Sequence, residues 1–142
     1  MATVFDVAQY ILSKLGPMPA MKLQKLVYYS QAWSLVWDEA ALFDEEIQAW
    51  ANGPVVRTLY DVHKGLFTVK SLPIGNSAAL TATERETIDS VLEFYGHRNS
   101  QWLSDLSHQE SPWQDARANV PAGEPSSAPI THAAMAEYYG SL

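Results

Sequence analysis

The chain has 142 residues, no cysteine and a net charge of −7, with nine Lys and Arg against 16 Asp and Glu. That length suits one domain with a sizeable core. The missing cysteines exclude a disulfide framework, a thiolate zinc site and a cysteine nucleophile, and the acidic balance opposes general nucleic-acid binding, which needs cations to neutralise phosphates. A hydrophobic fraction of 47% marks a folded chain. Its start, Met1-Ala2-Thr3-Val4-Phe5-Asp6, carries no basic and then apolar leader. Its apolar runs are too short to span a bilayer, so a cytoplasmic protein without membrane contact is the expectation.

In chain order, a helix is predicted over Val4 to Leu15, capped by Thr3 and stopped by Gly16-Pro17. The longest helix is expected from about Pro19 to Trp37. Leu23, Leu26, Val27, Trp33 and Trp37 form one stripe, while Tyr28, Tyr29, Ala32, Leu35 and Val36 fill other faces. A helix apolar nearly all round is a buried spine. Its polar positions, Lys22, Gln24, Lys25 and Gln31, are expected to face water. Asp38 to Glu46 is an acidic connector, and Glu45 to Trp50 a candidate strand.

In Asn52-Gly53-Pro54, glycine gives a tight turn its freedom. Proline suits a first helical position, so a helix is predicted from Pro54 to about His63, ended by Gly65. Phe67-Thr68-Val69 is a candidate short strand, and Leu72 to Leu80 reads as loop. From Ala82 to Tyr95 the spacing of Ile88, Val91, Leu92 and Tyr95 predicts an amphipathic helix, with Thr83 and Glu86 as capping box. Short helices are expected after Ser100 and after Ser111, the latter with Pro112 in first position and Gln114 at the capping-box position. Asn119 to Pro129 is rich in Pro, Ser and Gly, hence loop. A last helix is expected from Thr131 to Gly140, with Ile130 and Met135 as a hydrophobic staple. The sum is a mainly α fold of six or seven helices around a central buried helix, with a possible small β element.

Few residues suggest chemistry. His108 with Asp105 or Glu110 could serve acid–base catalysis, yet the spacing is not that of a zinc site. The better expectation is that His108 and Ser107 tie their loop to its neighbours by hydrogen bonds. Trp33 and Trp37 are expected in the core and Trp113 half buried, while Trp50 sits beside a turn. No catalytic centre, metal or cofactor is expected.

Three blocks carry a family resemblance. They are Leu23-Gln24-Lys25-Leu26-Val27-Tyr28-Tyr29, Ile47-Gln48-Ala49-Trp50-Ala51-Asn52-Gly53-Pro54-Val55 with Leu59-Tyr60, and Ser107-His108-Gln109-Glu110-Ser111-Pro112-Trp113. In that order, with the closing Tyr138-Tyr139, they resemble the Panacea domain family, which includes SocA-like antitoxins and phage-associated GepA proteins. Ser107 stands where the family often has threonine, and Ala51 where it often has an aromatic.

The resemblance implies an antitoxin that binds and neutralises a cognate toxin. Some family members instead act as adaptors that deliver the toxin to a protease. A small enzyme built on His108, or a prophage protein that binds a host factor, are the alternatives. For partner binding, the acidic connector (Asp38, Glu39, Asp44, Glu45 and Glu46) and the turn residues Trp50 and Asn52 are the candidates, since clustered acids steer encounter with a basic partner.

Overall fold

A computed structural model describes residues 1–142. It holds seven helices: α1 (Val4–Leu15), α2 (Ala20–Trp37), α3 (Arg57–His63), α4 (Ala82–Tyr95), α5 (Ser100–His108), α6 (Ser111–Ala116) and α7 (His132–Gly140). Five short strands join them: β1 (Met18–Pro19), β2 (Ile47–Trp50), β3 (Gly53–Val56), β4 (Thr68–Val69) and β5 (Pro129–Ile130). One antiparallel sheet has the order β3-β2-β5, and β1 pairs with β4. The fold is mainly α with small β elements, as expected.

α2 is the spine. α1, α4, α5, α7 and β3 all pack on it. Leu23, Leu26, Val27, Tyr28, Tyr29 and Ala32 are buried in one core with residues of the other helices. Trp33 is only half buried, and Trp37 is 50% exposed rather than in the core. Both rings line a groove between α2 and α4 that is left open.

The polar positions of the spine correct the expectation that they face water. Gln24, Lys25 and Gln31 are buried, and Lys22 alone is partly exposed. Each buried side chain satisfies backbone from a distant segment. Gln24 accepts from Val56 N at 2.9 Å and donates to Val56 O at 3.3 Å. Gln31 accepts from Leu42 N at 2.7 Å and donates to Phe43 O at 2.8 Å. Lys25 Nζ donates to Pro54 O at 3.2 Å, and Ser34 donates to Ala40 O at 2.7 Å. Polar side chains in a core are stable when such bonds replace those to water.

Three further expectations are corrected. Pro54 does not open a helix. It lies in β3, at the edge of the sheet, where its missing N–H does no harm. β2 and β3 are joined by Ala51 and Asn52 alone, and the positive φ of the turn falls on Gly53, at 119°. A side chain there would also collide, because an added Cβ would lie 2.5 Å from Lys25 Cε. The second correction concerns α4. Its capping box is Thr81 with Glu84, not Thr83 with Glu86. Thr-Ala-Thr-Glu-Arg-Glu spells the pattern twice, and the helix begins at the first. Third, α6 has no capping box: Glu110 is its N-cap but its side chain makes no bond to the helix start, and Gln114 donates to His108 O.

The Asn119 to Pro129 loop is anchored at its end. Pro129 and Ile130 form β5 on β2, and Arg117 donates to Ala49 O and Glu124 O at 2.9 and 2.6 Å. Thr131 caps α7, with Ile130 and Met135 both buried, as the staple requires.

Candidate functional site

Both ends of α2 open to the surface. At its C-terminal end lies an apolar groove of about 570 Å³, lined by Trp33 and Trp37 from α2, by Ser90, Val91, Phe94 and Tyr95 from α4, and by Leu106, Glu110 and Leu142. The Trp33 and Trp37 rings stack with centroids 5.0 Å apart, and Trp33 Nε1 donates to Tyr95 Oη at 3.0 Å. Phe94 packs edge-on against Tyr95 and is 66% exposed. Trp102 lies one turn before Leu106 on α5, partly exposed, with the Arg98 guanidinium over its ring. Large aromatics left open in one groove are unusual on a monomer.

Glu110 lies buried at the base of this groove. Its Oε1 accepts from Tyr29 at 2.7 Å and Tyr139 at 2.8 Å, and the Tyr28 and Tyr139 hydroxyls are 2.9 Å apart. Burial raises its pKa, while the two tyrosine hydrogen bonds oppose that shift. This network ties α2, α6 and α7 together.

Acids flank the groove. Asp38 follows Trp37 directly and accepts from Thr87 of α4, and Glu39 is exposed. Glu86 and Glu93 are exposed and sit one turn before and after Ser90. The rest of the connector lies elsewhere. Glu45 accepts from Val4 N at 3.1 Å, at the start of α1, and Glu46 accepts from Gln48 at 3.1 Å beside β2. Asp44 is exposed. The five acids thus do not form one patch: Asp38 and Glu39 stand at the groove, and the others do not.

Trp50 and Asn52 are at the opposite end of the spine. Trp50 is half buried, edge-on to Tyr60 with centroids 4.8 Å apart, and its backbone oxygen accepts from Trp113 Nε1 at 2.8 Å. Asn52 is exposed and its oxygen accepts from Ser104. Beside it lies the second opening, a cleft walled by α2, α3 and α5.

The side chains proposed for acid–base work have separate partners. His108 stacks on Trp113, centroids 4.1 Å apart. Asp105 is exposed and accepts from Gln101 at 2.8 Å, and Glu110 faces the tyrosines. Ser107 donates to Ser104 O at 2.8 Å, within its own helix. No group of three or more His, Asp or Glu side chains could hold a metal ion. No helix is long and apolar enough to cross a membrane.

Sequence reasoning missed Phe94. Its signal was present, since Phe94 lies off the Ile88, Val91, Leu92 and Tyr95 stripe, and an aromatic off the buried stripe of a capped helix faces out.

These features define a helical domain with an open aromatic groove. Residues 23–114 match the family described as "Antitoxin SocA-like, Panacea domain". The chain belongs to that family. No curated protein and no solved structure gives a match.

Proposed function

We propose that the domain is a cytoplasmic antitoxin that neutralises a cognate toxin by direct, stoichiometric binding, without catalysis, and that the groove between α2 and α4 is its docking face. Membership in the SocA-like antitoxin family carries the reading. A protein partner follows from it, and the groove supplies a surface of the right kind: open aromatics for an apolar anchor, with Asp38, Glu39, Glu86 and Glu93 around them. The complementary partner is an apolar segment flanked by Lys and Arg. Such charges speed encounter, and the aromatics hold the complex. Binding this way needs no protease and no reaction at His108.

The test is co-expression with the product of the adjacent reading frame, followed by purification of the pair. Growth rescue together with a stable complex is the expected result. Phe94→Asp should weaken that complex about 100-fold, the range of an interface hot spot. It should leave the melting temperature nearly unchanged, because Phe94 is mostly exposed. Rescue without any complex would remove direct binding. A complex indifferent to Phe94→Asp and Trp37→Asp would move the docking face elsewhere.

A further inference from the structure

The cleft at the N-terminal end of α2 has a charge pattern opposite to that of the chain. It encloses about 590 Å³, within the range of small-molecule sites. Lys25, Lys64, His63 and His108 line it, and no aspartate or glutamate does, in a chain with 16 of them.

Lys25 is 1% exposed. Its ammonium has three donors. The protein supplies one acceptor, Pro54 O, at 3.2 Å. Gly53 presses on the end of this side chain, so that the Nζ would be 3.2 Å from a Cβ built there. Lys25 is therefore held in place and not free to reach bulk water. Burial lowers its pKa to about 7, because an ammonium without a counter-charge is costly in a dry site.

Two more polar atoms are buried without a protein partner, Ser100 Oγ and His108 Nε2, and both residues line this same cleft. Burial lowers the pKa of His108 and the nearby Lys25 charge adds to the effect, while the Asp105 charge, outside the cleft lining, and a bond to the Ala51 backbone oppose it. His63 contributes differently. Its Nε2 lies 2.9 Å from Gln24 Nε2, an amide nitrogen that can only donate, so His63 accepts there and carries its proton on Nδ1. The N-terminus of α5 also faces the cleft through Ser100, Gln101 and Ser104, with the positive end of its dipole. At the mouth stand Tyr60, Leu66 and Phe67, with Phe67 82% exposed.

We propose that this cleft binds a small organic anion, its phosphate or carboxylate group held by Lys25, Ser100 Oγ and the protonated Nε2 of His108, and its flat apolar body against Tyr60 and Phe67. The anion supplies the acceptors that these buried groups lack. It also favours the charged forms of Lys25 and His108, so binding takes up protons and weakens as pH rises from 6 to 9. The titratable groups facing Lys25 across the cleft are Tyr60, His63 and Lys64 from α3 and its end, and His108 from α5. None is an acid that would compete for it.

The experiment titrates the full chain with adenosine monophosphate, with adenosine and with benzoate, following the imidazole signals of His63 and His108 by NMR and proton uptake by calorimetry. At least one anion should shift both histidines saturably, and adenosine should not. A stronger response to the nucleotide assigns phosphate, and one to benzoate assigns carboxylate. Lys25→Met keeps the apolar stem and should weaken binding about tenfold or more, as loss of a charge-assisted bond does. Ser100→Asp brings a negative charge into the cleft while suiting a helix start, so it should weaken binding comparably without unfolding the chain. The proposal is overturned if neither anion moves the two histidines at millimolar concentration, or if both variants bind as the parent does.

Discussion

The two ends of one helix, α2, present opposite surfaces. Lys25 and Trp37 are roughly 18 Å apart along its axis, from the rise of an α-helix. Around Lys25 the lining is cationic and polar, and the groups are buried with donors to spare. Around Trp37 the lining is aromatic, with carboxylates outside it. A net charge of −7 describes neither. The contrast teaches that the surfaces of a small domain are set by which neighbours the spine lacks at each end. At the cleft, the β2–β3 hairpin and α5 cover Lys25 but leave it one acceptor and an open space beside it. At the groove, α2 and α4 leave the space beside Trp37 and Phe94 open.

The largest expected effect lies at the cleft end. Gln24→Leu removes both bonds to Val56 and the one to His63. It should cost about 3 kcal/mol in denaturant melts, since buried backbone groups are left without partners. A loss below about 1 kcal/mol would mean that the hairpin stays on the spine without this clamp, and the cleft walls are then less fixed than the geometry implies.

A smaller effect separates the ends by pH. Lys25 titrates near 7 when folded and near 10.5 as a free side chain. Between those values the folded chain binds fewer protons than the unfolded chain, so its stability rises with pH in that window. Lys25→Met lacks this dependence. Relative to the parent, the Met variant should be most stable at and below pH 7 and should lose about 1–2 kcal/mol of that advantage by pH 9. Trp37→Ala at the other end should show no such change. Parallel melts at the two pH values decide it, and an advantage that does not vary with pH would show that Lys25 keeps its charge in the fold, as a solvated ammonium does.

The smallest effect concerns steering. Glu39→Lys with Glu93→Lys should slow association with the toxin at low salt, with the difference shrinking as salt is added. Asp44→Lys with Glu46→Lys, placed away from the groove, should slow it less. Stability should change by less than about 0.5 kcal/mol in either pair, because exposed charges contribute little. Equal slowing by both pairs would mean that overall charge and not the groove directs the encounter.

The sequence by itself determined the elements whose signals are local. α1 and α4 follow from caps and from a hydrophobic period of one helix turn, and the spine follows from an apolar surface on all sides. The spaced blocks also determined the family, whose match covers residues 23–114. Tertiary structure alone decided the polar positions. Whether Gln24, Lys25 and Gln31 face water depends on backbone 32, 29 and 12 residues away, which no helical period contains. The same holds for Pro54, since a Gly-Pro step suits a helix start and an edge strand equally until β2 pairs with it. It holds for Thr81 against Thr83, two identical caps between which only the observed start of α4 chooses. Exposure of Trp37 and Phe94 was decided likewise. An aromatic is buried only where a neighbour arrives to cover it, and at the end of α2 none does.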